Sequence, residues 1–398
     1  MSAPLVILIL SLLLGLQPLT TDLYLPALPA LTASFAAQPA QAQTTLTALL
    51  LAFGASQLVW GPLSDRIGRR RVLLIGLTGY TLAAIGSALA GSIETLIVWR
   101  ILQGAAMGAG TVCARSIVRD LYSPVEGARM MSKGLSGLGV AACLGPAIGG
   151  LLSQWLGWQS TLIALVLVGA LTLGVVWRYF EESLPQPHPD ALAPAQLLAT
   201  ARQITGSGRF WAHALLSTCS LAGLYAFLIT SSFILLQLHG MAKTSYGVVL
   251  LSVSLFYIIG TILCRWLLLH LGLRRTVAVG GAFSLAGGSL LIGLAWSGIS
   301  SPWALIMPAW VFMLGHGIHQ PCGQSGAIAP FPRIAGAASA LTGFVMMGVA
   351  FLTGQWIGAH MDGSAQPLVI VMGFWSLMTA LIAWLFIPRV LPTAAVDP

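Results

Sequence analysis

Twelve runs of about twenty predominantly apolar residues follow one another along this chain, each long enough to cross a bilayer as a helix. They fall at roughly 5–31, 44–63, 71–90, 94–115, 132–153, 159–179, 211–236, 246–268, 275–296, 302–322, 336–357 and 366–388. In hydrocarbon every backbone polar group must be satisfied within the protein, which leaves helices or closed barrels. Runs of this length predict helices, so the fold class is an all-α membrane protein with 12 transmembrane helices. Gly91, Ser92 and Glu94 mark the turn that separates the third run from the fourth. Charge agrees. Only 7% of the residues are charged, against roughly 25% in an average soluble domain, too few to solvate a surface of 398 residues. The same shortage argues against nucleic-acid binding, although the net charge is +8. The five cysteines are odd in number and sit far apart in apolar runs, which reads as buried thiols rather than a disulfide framework. Ala27–Ala30 faintly suggests a signal cleavage site, but no Lys or Arg occurs before Arg66 to supply a basic leader region, so the first run is read as a retained span.

The cations orient the chain. With the N-terminus in the cytoplasm, sixteen of the eighteen Lys and Arg residues fall on the cytoplasmic side, Lys243 falls outside and Arg100 lies within the fourth span. Such a bias is the positive-inside pattern, and it would collapse if one span were missed. Both termini are therefore expected in the cytoplasm.

Between 181 and 210 lies the one long polar stretch. It contains Glu181, Glu182, Pro185, Pro187, Pro189, Asp190, Pro194 and Gly206, and reads as a linker with a short amphipathic helix near 195–205. The expected organisation is an N-terminal six-helix bundle at 1–180, a cytoplasmic linker at 181–210, a C-terminal six-helix bundle at 211–390 and a short tail at 391–398. A faint repeat links the two bundles. Gly61–Arg71 follows the second span and Arg265–Arg275 follows the eighth. Aligned on Gly68 and Gly272, the paired arginines coincide, while Asp65 matches Leu269. Parallel six-helix repeats around a central site are a transporter architecture.

Four motifs sharpen this. Gly61, Leu63, Asp65, Arg66, Gly68, Arg69 and Arg70 form a glycine-spaced basic turn holding one carboxylate. The pattern resembles the loop-2/3 signature of the major facilitator superfamily, and the resemblance implies that Asp65 helps latch the two halves on the cytoplasmic side. A helix N-terminus favours a nearby carboxylate, and the eleventh span begins just after Arg333 on that side. A purely topogenic loop would explain the arginines but not Asp65 or the glycines. In the fourth span, Leu96, Arg100, Gln103 and Gly104 resemble the fourth-helix signature of the same superfamily. Gly145-Pro146-Ala147-Ile148-Gly149-Gly150 resembles the fifth-helix signature of its proton-driven drug antiporters, although Ala141 stands where those have glycine. Its physical content is a close-packing, kinkable helix, and an ordinary small-residue packing face is the alternative. Thr21–Pro29, Ala114–Tyr122, Ala329–Pro332 and Gly336–Leu341 are similar to segments of the Bcr/CflA drug-resistance transporters.

Of the ten acids, Asp22 alone is deep in a span; Asp65, Asp120, Glu126, Glu181, Glu182, Asp190 and Asp397 fall in cytoplasmic segments, and Glu94 and Asp362 at the outer surface. An ionisable group inside a membrane is a functional candidate by default. Arg100 also needs a partner, and its estimated depth matches that of Asp22, so the two are expected to pair and to couple the protein to protons. The plain alternative has Asp22 bonding backbone groups freed by Pro26. Gln17, Tyr24, Tyr225, Phe227, Tyr257, His319, Phe344 and Met347 are candidate substrate-wall residues, being aromatic, polar or soft side chains suited to varied lipophilic ligands. His316 and His319 share a helix face, but no third ligand accompanies them, so no metal site is expected. The chain lacks the G-x-x-x-x-G-K, H-E-x-x-H and G-x-S-x-G signatures, which argues against an enzyme or an ATP-driven pump.

The expectation is proton-coupled secondary efflux of small amphipathic compounds across a bacterial cytoplasmic membrane by a monomer. No cofactor is needed beyond the proton gradient. A dedicated exporter of a nucleoside or sugar and a membrane sensor that moves nothing are the alternatives.

Overall fold

The computed structural model describes residues 2–298, 301–360 and 364–390. The expected tail 391–398, with Asp397, and the loop acid Asp362 lie outside them. Among the described residues the chain is helical throughout, without a strand.

α1 (Ala3–Asp22) carries a proline in its first turn, where a missing N–H costs nothing. It gives way after Asp22 to a 3-10 turn at Leu25–Ala27, around Pro26, and then to the short α2 (Leu28–Ser34). α3 (Pro39–Ile67) and α4 (Arg69–Ala88) meet at Gly68. α5 (Ile93–Leu121) starts at Ser92, whose hydroxyl accepts the Thr95 N–H at 3.2 Å. This is the turn that the sequence marks with Gly91, Ser92 and Glu94. α6 (Pro124–Leu156) and α7 (Gln159–Tyr179) follow, then α8 (Pro194–Thr205) within the polar stretch. α9 (Gly208–Ser232) ends in a π-helical turn at Phe233–Leu238. α10 (Lys243–Trp296) runs for 54 residues, α11 (Trp303–Ile328) for 26 and α12 (Ala335–Ala359) for 25. α13 (Gln366–Leu381) continues through a π-helical segment into α14 (Ile387–Val390).

Ten helices among the described residues are long and apolar enough to cross a membrane. One of the ten, Ser245–Trp296, contains both the 246–268 and the 275–296 runs. α11 coincides with the 302–322 run but is not one of the ten, because His316, His319 and Gln320 dilute its apolar character. The chain is a multi-pass membrane protein.

Gly68 and Gly272 share an unusual backbone. Their φ/ψ values are 94°/158° and 70°/176°, a region essentially reserved for glycine. Each sits at the same place in the repeat, followed by the start of the next helical segment. The repeat is thus a repeat of backbone conformation, and it divides α10 where the sequence expects a turn.

Backbone contacts group the chain into two compact units. The first holds the chain up to Tyr122, then Gly137–Arg202 and Phe331–Phe344. The second holds Ser123–Ser136, Gln203–Pro330 and the chain from Val345 onward. The first turns of α6 therefore group with the second unit, and the first turns of α12 with the first.

Substituting either turn glycine by alanine is expected to cost about 1–3 kcal/mol from backbone strain alone. Gly272→Ala should show that cost alone, since nothing lies within 4 Å of an added Cβ. Gly68→Ala should lose more, because the added Cβ collides with the Glu182 carboxylate. Thermal unfolding of the detergent-solubilised variants measures the difference, with Gly68→Ala the less stable.

Candidate functional site

Two clusters in the first unit collect most of the singled-out residues. The first is built on the α3–α4 turn. The two carboxylate oxygens of Asp65 accept the backbone N–H groups of Gly336 (2.8 Å) and Ala337 (2.9 Å), in the first turn of α12. A carboxylate there satisfies donors that the helix cannot, and it meets the positive end of the helix dipole. Asp65 is 1% exposed and also accepts Arg69 Nη1 at 2.6 Å. Arg69 is itself sealed and turns its Nε to Asp120 at 3.0 Å. One guanidinium thus bridges two carboxylates.

The α4 N-terminus is held in the same way. Glu182 accepts the Arg69 and Arg70 N–H groups at 2.9 and 3.1 Å, so the start of the polar linker caps α4. The Arg70 side chain bonds the carbonyls of Phe180 (2.8 Å) and Trp177 (2.9 Å), whereas Arg66 is exposed. Gly61 permits the crossing of α3 and α12: a Cβ there would fall 2.5 Å from the Gly336 oxygen and 2.5 Å from the Ala340 Cβ. Beside it, Arg115 donates to Gln57 Oε1 (3.2 Å) and to the Ser339 carbonyl (3.4 Å).

The second unit repeats this crossing with other chemistry. Arg265 on α10 lies 204 positions after Gly61, and Ser132 and Ser136 on α6 lie 204 positions before Gly336 and Ala340. Arg265 Nη1 donates to Ser136 Oγ at 2.8 Å and to the Ser132 carbonyl at 3.3 Å. The same offset aligns Gly68 with Gly272. Where one crossing is closed by glycine contact and a carboxylate, its counterpart is closed by a guanidinium on two serines.

The other cluster of the first unit surrounds the end of α1. Arg100 is fully buried. Its Nη1 donates to Gln103 Oε1 (2.8 Å), its Nη2 to the Thr20 carbonyl (3.3 Å), and its guanidinium lies 4.2 Å from the centre of the Tyr24 ring. This corrects the expected pairing with Asp22. The depth agrees, but Thr20 and Tyr24 share one face of the helical backbone, and Asp22, two residues from each, points elsewhere. Asp22 is half-buried, and its Oδ1 accepts the Thr21 hydroxyl at 2.9 Å. Against it lies α6. A Cβ on Gly145 would fall 2.8 Å from the Asp22 Cβ, and one on Gly149 would collide with the Leu23 carbonyl. Two glycines of the fifth-span motif therefore take the end of α1 against them, Gly145 at Asp22 and Gly149 at Leu23. Gly150 has open space around it, and Pro146 is half-buried. Gly104 takes the Leu49 backbone against it, bringing α5 onto α3.

The candidate wall residues are dispersed. Tyr24 is sealed under Arg100, its hydroxyl 2.7 Å from Thr45 Oγ1, so its polar end is already engaged. Gln17, Tyr225 and Met347 are half-buried, Phe344 is exposed, and Phe227 is buried. His319 is fully buried, its ring nitrogens 3.4 Å from Ser284 Oγ and from the Val277 carbonyl. His316 turns instead to Ser220 on α9. The two histidines thus address different helices, and no group of three metal-binding side chains occurs among the described residues. Asp120, Glu182, Ser132, Ser136 and Arg265 are parts of these clusters to which the sequence reading gave no role, although Asp120 and Arg265 fall in segments it singled out. The 204-residue offset was the signal that could have found the last three.

Three comparisons bear on this geometry. A family model described as Major Facilitator Superfamily matches residues 10–354. The chain is 30% identical over 376 residues to multidrug resistance protein D of Escherichia coli, covering 92% of each chain. It is 29% identical to a chloramphenicol resistance protein of Pseudomonas aeruginosa, covering 82% of this chain and 77% of that one. Among solved structures, the proton:xylose symporter XylE bound to 6-bromo-6-deoxy-D-glucose superposes with a TM-score of 0.80 at 14% identity, over 98% of this chain and 96% of that one, a likeness of fold alone.

Replacing Asp65 by Asn keeps the shape but removes the charge that the α12 amides and Arg69 address. Hydrogen–deuterium exchange of the peptide spanning 335–340 should quicken about tenfold or more, as the loss of a charge-assisted bond of ~1.5–3 kcal/mol implies. Unchanged protection there would show that Asp65 does not hold this turn.

Proposed function

The chain belongs to the major facilitator superfamily, and on that premise we propose that it exports small amphipathic compounds in exchange for protons, as a Bcr/CflA-type transporter of a bacterial cytoplasmic membrane. It is a transporter, not an enzyme. We count twelve crossings by dividing α10 at Gly272 and including α11, with both termini in the cytoplasm and the monomer as the working unit. The two six-helix bundles, 1–180 and 211–390, are the moving parts, joined by the linker between them.

The observation that carries the reading is the placement of Asp22. It is the one carboxyl deep in a span, half-buried, with its Cβ set against Gly145 of α6. A charge held at that depth is costly, and a proton removes it. Loading and unloading Asp22 therefore changes how α1 packs on α6, next to the 3-10 turn at Leu25–Ala27 and to Pro146, the positions where these helices can bend. Arg100 acts on this step indirectly. By holding the Thr20 carbonyl and the Tyr24 ring it fixes the α1 face opposite Asp22 and adds positive potential to the neighbourhood. Substrate and proton then exclude each other: a cationic compound competes for the carboxylate, while a neutral one changes its packing and hydration.

Asp65 governs the other half of the cycle. Its bonds to Gly336 and Ala337, with Arg115 on the Ser339 carbonyl, hold the start of α12 on α3 and α5. Opening toward the cytoplasm requires these bonds to break. Arg265 on Ser132 and Ser136 must release α6 in the same movement.

In everted vesicles, Asp22→Asn should abolish substrate-driven proton movement while leaving substrate binding measurable. Proton movement at the wild-type rate in this variant would refute the role of Asp22. Arg265→Met should leave proton coupling intact and shift the protein toward cytoplasm-open forms, seen as faster labelling of a cysteine placed at Ser136.

A further inference from the structure

Between Asp190 and Asp362 the sequence contains no Asp or Glu. Whatever α9, α10, α11 and α12 contribute to recognition, they contribute without an anion. Their polar means are different. α11 carries His316, Gln320 and Gln324 at intervals of four, a single buried stripe. Gln320 Nε2 donates to the Ser217 carbonyl at 2.9 Å, and Gln324 Nε2 donates to Gln320 Oε1 at 2.7 Å. These two amides are engaged along the helix interface. His316, at the head of the stripe, is engaged on one side only. Its Nδ1 lies 2.8 Å from Ser220 Oγ and 3.1 Å from the Ser220 carbonyl. A carbonyl oxygen only accepts, so Nδ1 carries the hydrogen and Nε2 is left with a lone pair. No hydrogen bond reaches Nε2 among the described residues, and the residue as a whole is 3% exposed.

Tyr257 on α10 is in the same condition. It is 5% exposed, its ring centre lies 5.4 Å from that of His316, and its hydroxyl makes no hydrogen bond among the described residues. Two glycines make the neighbourhood. A Cβ on Gly317 would fall 2.6 Å from the Tyr257 carbonyl, so α10 and α11 touch there. A Cβ on Gly223 would fall 2.5 Å from Phe312 Cζ, so the Phe312 ring points its tip at α9, and it stacks on the His316 ring at 6.3 Å. The result is a buried aromatic wall bearing one acceptor and one hydroxyl, both without a hydrogen-bond partner among the described residues. His319 offers nothing similar, because both of its nitrogens already face oxygen atoms.

We propose that Tyr257 and His316 form a hydrogen-bonding subsite for uncharged amphipathic compounds, in which His316 Nε2 accepts from a hydroxyl or amide N–H of the ligand and the Tyr257 hydroxyl bonds its oxygen. This rests on the export reading given above and deepens it: Asp22 serves cationic ligands through charge, and this pair serves neutral ones through hydrogen bonds. A site built for a hydroxyl discriminates against the analogue that lacks it, because its polar atoms are then left unpaired.

Thiamphenicol and florfenicol, both uncharged, differ by one hydroxyl replaced with fluorine, and tetraphenylphosphonium has a charge and no hydrogen-bonding group. Binding of these three probes to the full chain in lipid nanodiscs tests the subsite. Wild type should prefer thiamphenicol to florfenicol. Tyr257→Phe and His316→Phe should each weaken thiamphenicol about fivefold to tenfold, the worth of one hydrogen bond, and remove the preference, with tetraphenylphosphonium within about twofold of wild type. His316→Gln, which restores an acceptor, should recover part of the loss. Equal weakening of all three probes, undiminished preference in both Phe variants, or no preference in wild type overturns the proposal. If wild type binds tetraphenylphosphonium but neither phenicol, the subsite falls and the export reading stands; if it binds none of the three, both fall.

Discussion

A carboxylate almost out of reach of solvent needs compensation from every side, and Asp65 receives it from two helix amides and a guanidinium that is itself sealed. Removing one partner from such a buried set typically costs about 3–5 kcal/mol, because the remaining charge is stranded. The arrangement therefore holds as a whole or not at all. Asp120 balances the second face of Arg69, and Glu182 fixes the turn from which Arg69 projects. The positions of α3, α4, α5 and the start of α12 all meet at this one set of charges. A contact with that character makes a good switch element, since it has two well-separated conditions, fully paired or fully hydrated, and little between them.

The two halves solve one geometric problem with different chemistry. The 204-residue offset relates Gly61 to Arg265, Ser132 to Gly336 and Ser136 to Ala340, and it also relates Gly68 to Gly272, which share a positive φ. The backbone of the repeat has been kept while the side chains at the crossing have not. Charge is divided in the same way. Every carboxylate involved in the clusters described lies in the first 190 residues, and the second half relies on the Arg265 guanidinium, histidine, amides, hydroxyls and aromatic rings.

The sequence makes the spans legible because hydrocarbon imposes one rule on all of them: a long apolar run with its polar backbone turned inward. The Gly68 turn could be anticipated from its glycine, and the meeting of Asp65 with the α12 N-terminus from the resemblance of the Gly61–Arg71 motif, with helix-end electrostatics giving the physical reason. The partner of Arg100 could not be settled so simply. Depth along a helix follows from counting residues, but the face depends on rotation, and two positions of difference turned the guanidinium from Asp22 to Thr20 and Tyr24. The substrate-wall candidates were the least legible part. Aromatic residues fill apolar space as readily as they line a cavity, and what separates Tyr257 from Tyr24 is that the Tyr24 hydroxyl is already spent on Thr45, whereas that of Tyr257 makes no hydrogen bond among the described residues.

The unlike closures at the two crossings respond differently to substitution. A guanidinium on two serines can be strengthened or weakened in small steps, because each hydrogen bond contributes about 0.5–3 kcal/mol. The sealed set around Asp65 has no such gradation: a change at one of its charges strands the others.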